Sequence, residues 1–290
     1  MGKQSTQSSD TIKSSVLNCI DLSNPDISQS VNLLKQVCKK FFSLPQKEKM
    51  KVLRSEKHRG YTPVLDEILD PQNQVHGDYK EGYYIGVEVV LPRWRDTMEK
   101  FHREALEVGR AVAKIIALAL GLDAKFFDQP KMLGEPIATL RLLHYGVQIS
   151  DPSKGLYGAG AHTDFGLITL LATDEVSGLQ ICKDRDAKPQ IWEDVAPLRG
   201  AFIVNLGDML ERWSNCVFKS TLHRVLGNGQ ERYSIAYFLE PSYDCLVECL
   251  PTCKSNNNPP KFPPILCGDY MTQRYNDTHA DLKIYKKQQA

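Results

Sequence analysis

Apolar positions along the chain follow two different rhythms, and the change from one to the other falls at Pro136. Between Thr97 and Leu120 the apolar residues Met98, Phe101, Ala105, Val108, Val112, Ile115 and Ala119 step by three and four, which puts them on one side of a helix. Lys100, Arg103, Glu107, Arg110 and Lys114 step in the same way on the opposite side, so the spacing predicts a scaffold helix that covers a sheet. Asp96 is placed to cap its start, with Glu99 three residues on, and Gly121 stands where a left-handed C-terminal residue is wanted. An earlier helix is predicted from about Ile27 into Phe42, stopped by Pro45, after a short strand at Cys19–Ser23. Residues 1–15 read as a disordered lead and Lys286 to Ala290 as a frayed tail.

Beyond Pro136 the apolar runs shorten to strand length and are punctuated by Gly, Asn and Asp: Ile137–Tyr145, Leu167–Ala172, Leu179–Lys183, Ala201–Asn205, Ser220–Leu226 and Tyr233–Leu239. Many short, regularly spaced strands predict a barrel or a double-sheet jelly roll. The layout is therefore mainly β with flanking helices: an N-terminal helical region over 1–134, then a β core with a C-terminal extension over 135–290. The Asn- and Pro-rich stretch from Ser255 to Pro264 reads as a loop.

Composition narrows the function classes. With 36 basic and 35 acidic side chains the net charge is +1, which gives no electrostatic reason to expect nucleic acid or an acidic membrane surface. No apolar secretion segment opens the chain, and the run Ala111 to Leu120 is too short to span a bilayer. Eight cysteines without such a segment predict free thiols in a reducing, cytoplasmic setting. Cys245, Cys249 and Cys253 recur every fourth residue, but no Cys-x-x-Cys pair accompanies them, so zinc is not expected.

Candidate chemistry begins at His162-Thr163-Asp164. In extended chain, residues two apart point the same way, so both side chains can reach one metal ion. A third ligand must come from another strand, and His223 is the strongest candidate; two imidazoles and one carboxylate make the facial triad of non-haem iron(II) oxygenases. Alternation puts Arg232, Ser234, Ala236 and Phe238 on one face of the following strand. A guanidinium and a hydroxyl there suit the distal carboxylate of a dicarboxylic keto acid, the alternative being that Arg232 meets solvent or an internal acid such as Glu240. The same alternation groups Arg141, Leu143 and Tyr145, so the Tyr145 phenol can join that pocket. His144 points away, and His58, His76, His102 and His279 are read as loop or helix-surface residues without a role.

In this order and spacing, His162-Thr163-Asp164, His223 and Arg232-Tyr233-Ser234 resemble the plant-type 2-oxoglutarate- and iron(II)-dependent dioxygenases, relatives of isopenicillin N synthase. Val204–Asp208, Trp213-Ser214-Asn215, Lys219–Val225, Ile20–Ser23 and Phe41–Pro45 extend the likeness from about Cys19 to Leu250. The resemblance implies a double-stranded β-helix, a cupin-like jelly roll, with iron(II) on His162, Asp164 and His223. It implies 2-oxoglutarate on Arg232, Ser234 and Tyr145, and substrate lined by Arg141, Phe165, Phe238 and Tyr61. The activity implied is hydroxylation or desaturation of a small organic metabolite by dioxygen in a monomeric enzyme, with succinate and CO2 released and ascorbate as reductant. Two readings stand beside it: an iron oxidase of the same fold that uses no 2-oxoglutarate, and a truncated form that binds ligand without turnover.

Two stretches depart from the family pattern. Relatives follow the first helix with a Gly-Phe-Phe strand leading to Asn-His-Gly, whereas here Leu33–Cys38 runs straight into Lys39-Lys40-Phe41-Phe42. A Trp- and Pro-containing loop is also missing where Tyr84–Val90 passes directly to Leu91-Pro92-Arg93-Trp94. The chain therefore reads as a shortened form in which every metal and cosubstrate position is retained.

Overall fold

The computed structural model describes residues 25–56, 58–85, 94–198 and 200–280. The expectations for 1–15, Cys19–Ser23, Val87–Arg93 and Lys286–Ala290 lie outside those residues.

Ten strands form two facing sheets, antiparallel throughout. The larger holds β1 (Gly60–Thr62), β2 (Lys80–Tyr84), β3 (Ile137–Tyr145), β5 (Ile168–Thr173), β8 (Ile203–Leu206) and β10 (Arg232–Glu240), in the order β1-β2-β3-β10-β5-β8. The smaller holds β4 (Ala159–His162), β6 (Leu179–Asp184), β7 (Ile191–Asp194) and β9 (His223–Val225), in the order β4-β9-β6-β7. A short pair, β11 (Leu246–Val247) with β12 (Ile265–Leu266), lies apart. This is the expected jelly roll, with β3 at its predicted bounds.

Period-two alternation gives the larger sheet two faces of different character. On the outer face Tyr83, Leu140, Leu142, Leu170, Ile235, Tyr237 and Leu239 pack into one core with helices α1 (Pro25–Phe42) and α3 (Trp94–Ala119). On the inner face Leu143, Tyr145, Ala236 and Phe238 meet Ala159, Leu179, Ile181 and Val225 of the smaller sheet. The functional side chains described below are drawn largely from that inner face.

Three expectations need correction. The long helix begins at Trp94, so Asp96 lies in its first turn and is not its cap. Its buried stripe is Met98, Phe101, Ala105, Gly109, Ala113 and Ile116, with Ile115 exposed. A strict alternation of three and four steps averages 3.5 residues and drifts about 20° per heptad against a straight helix, which is why the expected stripe leaves the true one after Ala105. The N-terminal region is also more than helical: β1 and β2 belong to the larger sheet and continue it past β3. Two helices that the apolar pattern did not announce, α4 (Asp208–Trp213) and α5 (Cys267–Thr278), follow β8 and β12; α2 (Gln46–Met50) is a single turn after Pro45.

Candidate active site

His162 ends β4, Asp164 lies in the turn that follows, and His223 opens β9, directly opposite His162 in the ladder. Asp164 Oδ1 is 3.9 Å from His162 Nε2 and 3.8 Å from His223 Nε2, and the two ring centroids are 4.2 Å apart. One ligand atom from each residue falls within 4.8 Å of the other two, so the trio could hold a metal ion, and it is the only such group among the described residues.

The backbone fixes the tautomers that this requires. His162 Nδ1 bonds the carbonyl of Gly160 at 2.7 Å and His223 Nδ1 that of Thr221 at 2.8 Å. A carbonyl can only accept, so each Nδ1 carries a proton and each Nε2 faces the shared space. Asp164 is oriented in the same manner: Thr169 Oγ1 and Asn205 Nδ2 both donate to its Oδ2, at 2.7 and 2.8 Å, leaving Oδ1 toward the imidazoles. Burial pushes His162 down to about 3, helped by the neighbouring His223, so the ring is neutral near pH 7. Burial also works to raise Asp164, but the two imidazoles and its two hydrogen bonds outweigh it and hold the carboxylate below its usual range. The neutral His162 imidazole and the ionised Asp164 carboxylate are in the protonation states a divalent cation needs.

Thr169 and Asn205 were not picked out as site residues. The signal available was their inner-face position: they face each other across β5 and β8.

Further along the inner face, Arg232 and Tyr145 are register partners, with the guanidinium 5.0 Å from the phenol ring centre. Arg232 is 3% exposed and Ser234 2% exposed, yet Arg232 Nη1 and Ser234 Oγ have no hydrogen-bond partner among the described residues. Neither alternative for Arg232 holds: it does not reach solvent, and Glu240 sits at the far end of the same nine-residue strand.

The substrate-side residues divide. Phe238 lies on the inner face. Phe165 follows Asp164 in the turn, with the Arg274 guanidinium 4.5 Å above its ring and Tyr275 edge-on at 5.9 Å. Arg141 is on the inner face, but Glu67 grips it at 3.2 and 2.8 Å, and it lies 4.2 Å from the Tyr84 ring centre. Tyr61 is misplaced by the sequence reading. It pairs with Tyr83 on the outer face, packs on Phe41 and donates its hydroxyl to Glu81, so the sheet separates it from the triad. The parity of β1 decides this: Gly60 and Thr62 take the inner positions.

His279 also departs from expectation. Its side chain is 1% exposed, with Nε2 3.5 Å from Glu67 Oε1. Glu240, the last inner-face residue of β10, is 2% exposed, and its Oε2 has no hydrogen-bond partner among the described residues. Burial pushes its carboxyl up to about 8; Arg59 opposes the rise, and the Asp164 charge adds to it.

Comparison with known proteins identifies the family. The family model of the 2OG-Fe(II) oxygenase superfamily matches residues 136–241, and that of the N-terminal region of non-haem dioxygenases in morphine synthesis matches residues 18–103. Kihadalactone A synthase of Citrus sinensis is 44% identical over 328 aligned positions, covering 97% of this chain and 98% of that protein. Since 328 positions exceed the 290 residues of this chain, that relative carries residues inside the match with no counterpart here. Azadirone synthase of Melia azedarach is 40% identical over 91% of this chain and 93% of its own length. Among solved structures, a full-length Neurospora crassa protein in complex with alpha-KG and thymine superposes with a TM-score of 0.75 at 30% identity, over 89% of this chain and 85% of that one.

Proposed function

Because the chain belongs to the iron(II)- and 2-oxoglutarate-dependent oxygenases of plant type, we propose that His162, Asp164 and His223 hold its iron and that Arg232, Ser234 and Tyr145 hold its 2-oxoglutarate. On this reading the enzyme hydroxylates or desaturates a small organic metabolite. When bound, iron(II) with 2-oxoglutarate and dioxygen supplies the oxidising power for attack on a C–H bond, and succinate and carbon dioxide leave. The residues bind and orient. Arg232 and Ser234 offer donors to a carboxylate from the inner face of the larger sheet, while Leu143, Ala236 and Phe238 beside them keep water out.

The observation behind the reading is the pair of buried, unpartnered groups, Arg232 Nη1 and Ser234 Oγ. Leaving such donors unsatisfied is costly, and a carboxylate satisfies both. Tyr145 beside this pair favours 2-oxoglutarate over an iron oxidase that uses none, and stoichiometric succinate release distinguishes the two. In anaerobic protein with iron(II), addition of 2-oxoglutarate is expected to raise a visible charge-transfer band. Arg232→Ala is expected to need about 30-fold more cosubstrate or worse, the loss typical of truncating one side of a buried charge pair. Equal titrations in the two proteins would remove Arg232 from the site.

Phe165, Phe238 and Arg141 line the substrate side on this reading. Arg141, already neutralised by Glu67, provides a polar wall and not a free cation. The substrates of kihadalactone A synthase and azadirone synthase are the place to begin a substrate screen, read by stimulated succinate release. We further assign ascorbate as reductant, a monomer as the working unit and the cytoplasm as its place. Seven described cysteines, all free, support a reducing compartment; no described helix is long and apolar enough to cross a membrane. The residues missing against the Citrus relative favour a second reading, a form that binds cosubstrate without turnover. Failure of the purified protein to decarboxylate 2-oxoglutarate with iron(II), ascorbate and oxygen would select it.

A further inference from the structure

We infer that Asp78, in the N-terminal region, is a positioning residue for His162 and so sets the metal centre from outside the β core. The inference rests on His162 being a metal ligand.

The two imidazoles are held by unequal scaffolds. His223 stands on β9, which is paired on one side with β4 and on the other with β6. His162 stands on β4, a four-residue strand at the edge of its sheet, with an irregular register between Ala159 and His162. The Gly160 carbonyl holds the His162 Nδ1 proton, yet among the described residues no strand pairs with the second edge of β4 to hold Gly160.

Asp78 takes that place. Its Oδ1 accepts the Gly160 N–H at 2.8 Å, and the neighbouring Tyr79 N–H donates to the Tyr157 carbonyl at 2.9 Å, so residues 78 and 79 run alongside the edge. The Asp78 carboxylate is fully buried and is itself fixed, Oδ1 by Gln74 Nε2 at 2.8 Å and Oδ2 by the Lys80 ammonium. Lys80 in turn bonds Glu67 at 2.8 Å, and Glu67 grips Arg141. The contact at Gly160 is tight: a Cβ there would lie 2.2 Å from Gln74 Oε1 and 3.0 Å from Asp70 Cβ. A continuous set of hydrogen bonds therefore runs from Arg141 through Glu67, Lys80, Asp78 and Gly160 to the His162 ring. The groups that orient a metal's ligands control its affinity, and losing one typically costs about 10- to 100-fold.

Cobalt(II), titrated in place of iron(II), gives both a dissociation constant and a visible spectrum that reports ligand geometry. Asp78→Ala, which leaves the Gly160 N–H without its acceptor, is expected to bind cobalt(II) about tenfold more weakly or worse, with shifted bands. Asp66→Asn breaks the buried pair with Arg54, which does not touch β4, and serves as the control. It is expected to lower the melting temperature of the apo protein comparably, yet to stay within about threefold of the native affinity with unchanged bands. If Asp78→Ala does not fold, Asp78→Leu/Lys80→Met removes both charges together and leaves Arg141 its Glu67 partner; the same weakening and shift are expected. Native affinity and native bands in whichever folded Asp78 variant is obtained overturn the inference. Native affinity in His162→Ala overturns the ligand assignment beneath it, and the two failures are told apart by that variant.

Discussion

Two buried carboxyls near the candidate metal centre show how the same group is set to opposite protonation states by its neighbours. Asp164 receives two donated hydrogen bonds and faces two imidazoles, so it stays ionised although it is buried. Glu240 has one oxygen with no partner, and its carboxyl is pushed up to about 8 from an ordinary value near 4.5. The linkage sign follows. Between those values the unfolded chain has released the proton that the folded chain retains, so folding takes up a proton and the native state loses stability as pH rises. The contribution is fully present below about 4.5 and lost through about 8. Glu240→Gln removes the titrating group. Relative to the parent, the apo variant is therefore expected to gain at least about 1 kcal/mol between pH 5 and pH 8. Urea unfolding at the two pH values measures the difference, and a parent-minus-variant difference that does not change with pH would show that Glu240 is solvated or paired in solution.

At the scale of elements, the helix that covers the sheet ends where its sequence says it should. Gly121 has φ of +68°, and a Cβ built there meets nothing within 4 Å. The cost of a side chain is then purely that of the left-handed backbone, about 1 kcal/mol for Gly121→Ala, with Gly121→Asn losing less because Asn tolerates that region. Equal stability of all three proteins in chemical denaturation would mean that the end is not held left-handed. What was legible among the elements was whatever announces itself by apolar spacing: β3, β10, the long helix and the inner-face parity of Arg232 and Ser234. What was not legible is polar for a reason. Strand β2 reads Lys80-Glu81-Gly82-Tyr83-Tyr84 and is buried throughout, because Lys80 finds Asp78 and Glu67 while Glu81 finds Lys49 and His144. Those partners lie up to 63 residues away, so no local window reveals them. Strand β4 is Ala-Gly-Ala-His, small because Gln74 and Asp70 press on it. Helix α5 is largely polar, yet it supplies Tyr275 and Arg274 to Phe165, and His279, just past its end, to Glu67. The triad was legible because two of its ligands are two residues apart at the end of one strand and the third lies directly opposite His162 on the paired strand. The misreading of Tyr61 came from a three-residue strand, too short to display its own parity.

For the molecule as a whole, the expected boundary at 134/135 is crossed by every kind of interaction the fold uses. Strand β2 pairs along β3, and helices α1 and α3 cover the outer apolar face of β3, β5 and β10. The far end of the chain returns to the N-terminal region as well: Ile68 N–H bonds the Thr278 carbonyl, Ala280 N–H bonds that of Asp66, and Arg54 donates to the Ala280 carbonyl. Removing residues before 135 would expose the row Leu140, Leu142, Ile235, Tyr237 and Leu239 together with a free strand edge, a combination that favours aggregation over folding. Core burial shared in this way makes the two regions one cooperative unit. The three tryptophans allow a direct test. Trp94 opens α3 and packs against Phe41 of α1 and Tyr83 of β2, so it reports the N-terminal layer alone. In a variant carrying Trp192→Phe and Trp213→Phe, fluorescence from Trp94 and far-ultraviolet circular dichroism from the whole chain are expected to give one coincident urea transition. A Trp94 midpoint lying well below the circular dichroism midpoint would mean that the helical layer detaches from an independently stable jelly roll. The hold of Asp78 on β4 would then be lost before the β core unfolds, and metal affinity should fall in step with the Trp94 signal.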